Sequence, residues 1–503
     1  MIKGCLNRLR LNPMNLSGNS ERDKMDNTYF LSQSSSLTIV VIISLIFAAL
    51  GIYHSKKFQG ISNYLTANRK IELFSLTTSL IASALGAWIL FGPVAAATWG
   101  GIGAVIGYAL GTAFPMIFLI YFGKKIRSDF PKGSSLIEFM RKKFGKSLFK
   151  LILLMTIFYM FIFLCAEVTA VAVLINYLSG TDLWITALIV LLATLTYTLY
   201  GGLRASIFTD NIQMIVIGFL LLILILIISS STGDNFSFAL IKEKNPQLLS
   251  SSYIPSYTAG LTFFIAVAAT NLFHQGNWQR VYAAKDYQTL KSALIISFFI
   301  IIPIVFLMGF IGMISFSIDS SARADLGFFT LLLKEQTEML SLIIIILGLA
   351  LTISTVDTLV NAISSLFIVD GKATFDLDKK TDYLKISKYF IVFLSLIAFG
   401  VASKGFDILY LFLLADLFCC AFVFTVFYSF YNKVNEKTAY VSILIGLIGG
   451  FLMFPYPDFS KSLLVGVLMS KDLFSPFVAQ SLLFLSFVVA TFLPAVILKF
   501  KSN

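Results

Sequence analysis

The stretch LTISTVDTLVNAISS at 351–365 sets Ser354, Thr355, Asp357, Thr358, Asn361, Ser364 and Ser365 on one otherwise apolar segment. Hard cations take oxygen ligands, and clustered hydroxyls beside a carboxylate supply them without a dedicated cage. On a helix, Ser354, Asp357 or Thr358, and Asn361 recur every three or four residues and share a face. The competing reading is that the hydroxyls bond back to carbonyls one turn earlier and serve helix packing. Three further acids, Glu167, Asp210 and Asp416, fall in equally apolar stretches. A carboxylate at the centre of a spanning helix costs roughly 2.5–3.5 kcal/mol on insertion scales, and no Lys or Arg is expected at comparable depth. The balancing charge must then come from solution as Na+ or H+, or the acid must stay protonated. For Asp210, near the start of its helix, capping is the structural alternative; for Glu167 and Asp416 it is a neutral, hydrogen-bonded role.

The elements that position these groups are set by composition. Of 503 residues, 58% are hydrophobic and 13% charged, with a mean hydropathy of +0.88, which excludes a soluble enzyme. Runs such as 214–228 are apolar on every face, which excludes the alternating strands of an outer-membrane barrel. Thirteen spans are predicted, at about 37–54, 75–98, 101–122, 150–178, 183–200, 207–228, 257–277, 290–316, 338–369, 385–403, 406–432, 437–453 and 478–499. Of the 38 Lys and Arg, 26 fall in one set of alternate connections, seven in the other and five in the first 24 residues. The positive-inside rule then puts the N-terminus outside and the C-terminus in the cytoplasm. The net charge of +12 is thus topological and predicts no nucleic-acid partner. Cys5, Cys165, Cys419 and Cys420 show no metal-ligand spacing, so neither disulfide nor zinc site is expected. Met25 opens a short polar lead-in and is the expected start, leaving residues 1–24 of the tail 1–36 untranslated or disordered.

After a leading helix and basic loop over 37–74, segments 75–228 and 257–432 each hold five helices and begin on opposite sides of the membrane, an inverted repeat; two helices over 437–503 follow. Such repeats bind substrate near the midplane, at helices broken by Gly or Pro in corresponding positions. The first helix of one repeat carries Gly86, Gly92 and Pro93; the first of the other carries Gly260 and the polar string TNLFHQG at 270–276.

Three stretches resemble the sodium:solute symporter family: YTLYGGLRASIFTDNIQ at 197–213, NLFHQGNWQRVYAAKD at 271–286 and STVDTLVNAISSLFIVD at 354–370. The likeness covers about residues 40–435 in the same order. It implies an all-α polytopic protein with a LeuT-like five-plus-five core working by alternating access. It further implies a sodium site made by the carbonyls of Ala82, Leu85 and Leu351 and the hydroxyls of Ser354 and Thr355. A second cation position follows at Asp210, Asp357 and Thr358, where an aspartate replaces a hydroxyl common in relatives and suits either Na+ or H+. Trp88, Phe91, Glu167, Thr270 and Asn271 fall where the family lines its solute site. Proline-type members carry an aspartate where this chain has Ala84, which weakens that substrate assignment.

The expected function is sodium-coupled import of a small polar organic solute across a bacterial inner or plasma membrane, with the lipid bilayer as its other partner. Proton coupling, or a solute sensor acting with a separate signalling protein, is the alternative. The oligomeric state stays open, monomer included. An enzyme is not expected, because only His54 and His274 exist and no nucleophile or acid–base set converges on them.

Overall fold

The computed structural model describes residues 29–58, 60–333, 337–371, 374, 382–457, 459, 461–464 and 476–501. The tail to residue 28, with Cys5 and Met25, and the loop lysines Lys334, Lys372, Lys379, Lys380 and Lys471 lie outside the described residues. Fourteen helices carry the architecture: α1 (Gln33–Ser55), α2 (Leu73–Ala84), α3 (Gly92–Asp129), α4 (Leu136–Lys143), α5 (Lys146–Ser179), α6 (Leu183–Thr232), α7 (Ile254–Phe273), α8 (Gln275–Ala283), α9 (Tyr287–Ile318), α10 (Glu338–Leu366), α11 (Tyr383–Ala402), α12 (Ile408–Tyr428), α13 (Glu436–Met453) and α14 (Pro476–Lys501). All but α2, α4 and α8 are long and apolar enough to cross a bilayer. Among the described residues, two isolated bridges, Ile71 with Ala284 and Pro455 with Ser462, stand in place of any sheet.

Thirteen predicted spans and eleven crossing helices agree once two glycines are considered. Gly101 (φ 55°, ψ −151°) divides α3, and Gly202 (φ 57°, ψ −146°) divides α6, both in a backbone region essentially reserved for glycine. The first core span is likewise composite. After Ala84 the chain leaves the helix at Leu85 and Gly86, makes a 3-10 turn over Ala87–Leu90, and resumes as α3. Pro93 sits in the first turn of α3, where its missing N–H is no loss.

The sixth core helix is interrupted as its polar string suggests, but at His274 (φ −60°, ψ 108°). Gly260 lies within α7 instead, its Cα against the backbone of Gly103 on α3. The carbonyls freed at the end of α7 are taken up from α8: Asn277 Nδ2 donates to the Asn271 carbonyl at 3.0 Å and Trp278 Nε1 to that of Leu272 at 2.7 Å. All nine residues of α8 are buried. Its end is stitched to the chain before α2, with Ile71 N donating to Ala283 O and Lys285 N to Ile71 O, both at 3.0 Å.

The polarity is that of a protein with lipid for solvent. Leu154, Phe219, Leu226, Phe299 and Leu396 are each more than half exposed, whereas Glu167, Asp210, Asp357 and Asp416 are buried. A methyl group at Gly202 would meet the Tyr64 ring at about the 2.5 Å separating them, on a backbone that costs a non-glycine residue about 1–3 kcal/mol. Gly202→Ala is therefore expected to lower the thermal midpoint of the detergent-solubilised protein by several degrees, read in an unfolding scan against the parent.

Candidate functional site

Two groups of buried polar side chains lie around the interruptions, one on each side of the Leu85–Gly86 break. On the side of α2, Asp210 of α6 is the common acceptor. Its Oδ2 takes hydrogen bonds from Ser79 Oγ of α2 at 2.5 Å and from Arg280 Nη2 of α8 at 2.7 Å, and its Oδ1 takes one from Ser354 Oγ of α10 at 2.6 Å. Arg280 spends its other donors on Ser79 Oγ (Nε, 2.7 Å), the Gly276 carbonyl (Nη1, 3.0 Å) and Thr358 Oγ1 (Nη2, 3.0 Å). Both members of the ion pair have no solvent exposure.

This corrects the expectation that no basic residue lies at the depth of the acids. Positive-inside counting assigned Arg280 to a cytoplasmic connection because the apolar pattern ends near 277. The interruption at His274 instead turns α8 back into the protein, with Arg280 on its inner side. Asp210 is thus neutralised from within the chain rather than acting as a helix cap.

Asp357 has a different environment. Its carboxylate accepts from Tyr197 Oη (2.5 Å), Ser206 Oγ (2.7 Å) and Thr209 Oγ1 (3.1 Å), with Thr358 Oγ1 at 3.4 Å. Tyr197 precedes the Gly202 break and Ser206 and Thr209 follow it, so the two halves of α6 close on one carboxylate. Thr358 touches both acids' networks, and the proposed second cation position resolves into an Asp210 part holding Arg280 and an Asp357 part holding only hydroxyl donors.

Of the residues carried over as the main sodium site, Ser354 faces Asp210, while the Thr355 hydroxyl donates to the Leu351 carbonyl at 3.2 Å. The Ala82 carbonyl accepts from Leu85 N at 3.3 Å as α2 ends. Leu85 lies at the break with non-helical torsions, its side chain fully buried. The C-terminal end of α2 presents carbonyls and the negative end of its dipole, chemistry that suits a cation.

On the other side, Glu167 of α5 accepts from Ala87 N at 2.9 Å through Oε2, capping the 3-10 turn beyond the break. Its Oε1 lies against Gly86 and has no hydrogen-bond partner. Thr270, one turn before the His274 interruption, donates to Asp416 Oδ1 of α12 at 2.6 Å. Asn271 donates to the Val267 carbonyl of its own helix at 3.0 Å. The Trp88 ring stacks on Tyr108 with centroids 5.3 Å apart, and Phe91 packs on Phe329 at 5.3 Å. Trp88, Glu167 and Thr270 are thus in the interior beside the two interruptions, whereas Phe91 has the contacts of a packing aromatic.

Several participants were missed. Ser79 gave no signal beyond being a hydroxyl on the first core helix. Tyr197, Ser206 and Thr209 stood in the string 197–213 and Arg280 in 271–286, but as markers of resemblance rather than as side chains with partners.

Interrupted helices meeting at buried oxygen groups, inside a bundle with an apolar exterior, define the class of secondary transporters. The chain belongs to the sodium:solute symporter family, whose model matches residues 64–446. It is 26% identical over 401 residues to the spermidine transporter DUR31 of Candida albicans, covering 79% of this chain and 75% of that protein. It is 23% identical to sodium/glucose cotransporter 4 of Danio rerio over 84% of this chain and 72% of that one. Among solved structures, a sodium-coupled sialic acid symporter in a substrate-bound, outward-open state superposes with a TM-score of 0.72 at 16% identity, over 93% of this chain and 97% of that one. The fold is therefore the expected LeuT-like one.

Removing one partner of a buried ion pair strands the other charge, at a cost of roughly 3–5 kcal/mol. Arg280→Gln should accordingly lower the thermal midpoint in detergent far more than the double variant Arg280→Gln/Asp210→Asn, measured side by side in KCl.

Proposed function

We propose that this protein is a secondary active symporter that couples inward Na+ flow to uptake of a small polar organic solute by alternating access. The observation that carries the reading is Asp210, which accepts at once from Ser79 on the interrupted helix and Ser354 on the hydroxyl-bearing helix α10. These are the two elements whose relative position a bound cation would bias. Segments 75–228 and 257–432 form two repeats, each opening with an interrupted helix, and the solute lies between the interruptions. The ligands proposed for Na+ are the carbonyls of Ala82, Leu85 and Leu351 with the hydroxyls of Ser354 and Thr355. Coupling then follows from linkage: Na+ favours the state in which the solute site is formed, and the solute raises affinity for Na+ by the same factor. The membrane potential adds roughly 2.3 kcal/mol per charge per 100 mV. The excess of basic residues on one set of connections supports an N-terminus outside, and the setting proposed is a bacterial inner or plasma membrane.

A proton is the second reading, and it rests on Asp357. Its bonded neighbours are hydroxyls alone, and among the described residues the only buried Lys or Arg, Arg280, is bonded to Asp210. A carboxylate so placed holds either a proton or a metal cation. The readings separate in proteoliposomes. Under sodium coupling, an imposed Na+ gradient drives solute uptake at constant pH, and Ser354→Ala raises the half-saturating Na+ concentration at least tenfold. Normal sodium dependence in Ser354→Ala and Thr355→Ala would discard the site. Under proton coupling, an acid-outside gradient drives uptake in potassium buffer and Asp357→Asn abolishes it.

A further inference from the structure

Asp210 and Asp357 account for the ion side of the protein, but Glu167 and Asp416 are two further buried carboxylates with no such role. Glu167 has no exposed surface and Asp416 is 3% exposed. They reach the interior from α5 and α12, which pack together, and each touches one interruption: Glu167 the amide end beyond Gly86, Asp416 the Thr270 hydroxyl just before His274. Both lie within electrostatic reach of the Tyr108 hydroxyl, on the ring that stacks between Trp88 and Phe263 with centroids 5.3 and 4.7 Å away.

Unspent hydrogen-bonding capacity accompanies these acids. Glu167 Oε1 has no partner. The Tyr159 hydroxyl, on α5 two turns before Glu167, is fully buried, has no partner and lies within electrostatic reach of Asp416. A buried polar atom left without a bond costs free energy comparable to a lost hydrogen bond, and a ligand that supplies donors removes that cost.

The charge decides which donors. Among the described residues no buried Lys or Arg is free to balance these acids, since Arg280 is bonded to Asp210. A sugar would meet the open lone pairs only with both acids held protonated, whereas a cation balances them ionised. A protonated amine supplies the N–H donors and the charge together. We infer that Glu167 and Asp416, walled by Trp88 and Tyr108, form a receptor for an organic cation bearing one or more protonated amines, and that this is the solute class transported. The inference rests on the symporter reading and specifies its substrate.

The test is thermal unfolding of the purified full-length protein in detergent, in NaCl and in KCl at equal ionic strength. The probes are putrescine and spermidine as amines, and myo-inositol as an uncharged polar solute. Ligands that bind the folded state raise its apparent stability by mass action. The expected result is a higher midpoint with an amine in NaCl and none with inositol. Glu167→Gln and Asp416→Asn, accepted only if monodisperse on size exclusion, should each raise the half-saturating amine concentration at least tenfold. Wild-type protein decides the matter even where a variant does not fold. Stabilisation by inositol, or no stabilisation by either amine, overturns the receptor, as does amine binding indifferent to both substitutions. If NaCl itself stabilises no more than KCl, it is the sodium-coupling reading that fails, whichever solute binds.

Discussion

The buried pair of Arg280 and Asp210 is the contact on which the rest of the interior depends. Each ion alone would carry a desolvation penalty of several kcal/mol, so the pair stands only if its remaining donors and acceptors are met. Ser79, Ser354, Thr358 and the Gly276 carbonyl meet them. Those groups come from α2, α10 and α8, while Asp210 itself belongs to α6. One guanidinium thereby fixes the relative positions of four elements far apart in sequence. Polar networks of this kind are high-stakes in a low-dielectric setting: fully satisfied they rigidify and specify one arrangement, whereas a polar group left unpaired is costly.

The interruptions explain why such a network can exist inside a membrane protein at all. A continuous helix satisfies its own backbone and offers neighbours only side chains, whereas a broken one exposes carbonyls at one cut end and amides at the other. Here the cut ends are paired off. The amide at Ala87 finds Glu167, the last carbonyls of α7 find Asn277 and Trp278, and Ala283 and Ile71 bond across the gap between α8 and α2. Irregular backbone is thus tolerated at depth because protein, not lipid, surrounds it.

What could be read from residues alone follows the same physics. The spans were legible, because burial in lipid imposes long apolar runs, and so were the interruptions near Gly86–Pro93 and 270–276, because Gly, Pro and polar strings mark places where a helix stops. The candidate acids were legible as rare charges in apolar surroundings. Their partners were not. The contact from Tyr197 to Asp357 joins residues 160 apart, and no periodicity encodes it. Arg280 was misplaced for a specific reason: loop-charge statistics read a basic residue after the last apolar turn as cytoplasmic, and they carry no term for a short helix that folds back into the interior.

The geometry also divides labour along the first core helix. Its cut at Leu85–Gly86 ends α2 at the negative end of its dipole and leaves the amide end of the following turn bonded to Glu167. On the first side Arg280 cancels Asp210, and Asp357 remains among hydroxyl donors. On the second side the amide end stabilises one carboxylate oxygen of Glu167 and leaves the other open. Under the reading proposed above, an ion and a cationic solute held at opposite ends of one break would repel by about 2 kcal/mol for unit charges roughly 10 Å apart at an effective dielectric constant near 20. On that reading the carboxylates on both sides, Asp357 with the ion and Glu167 with the solute, would reduce that repulsion.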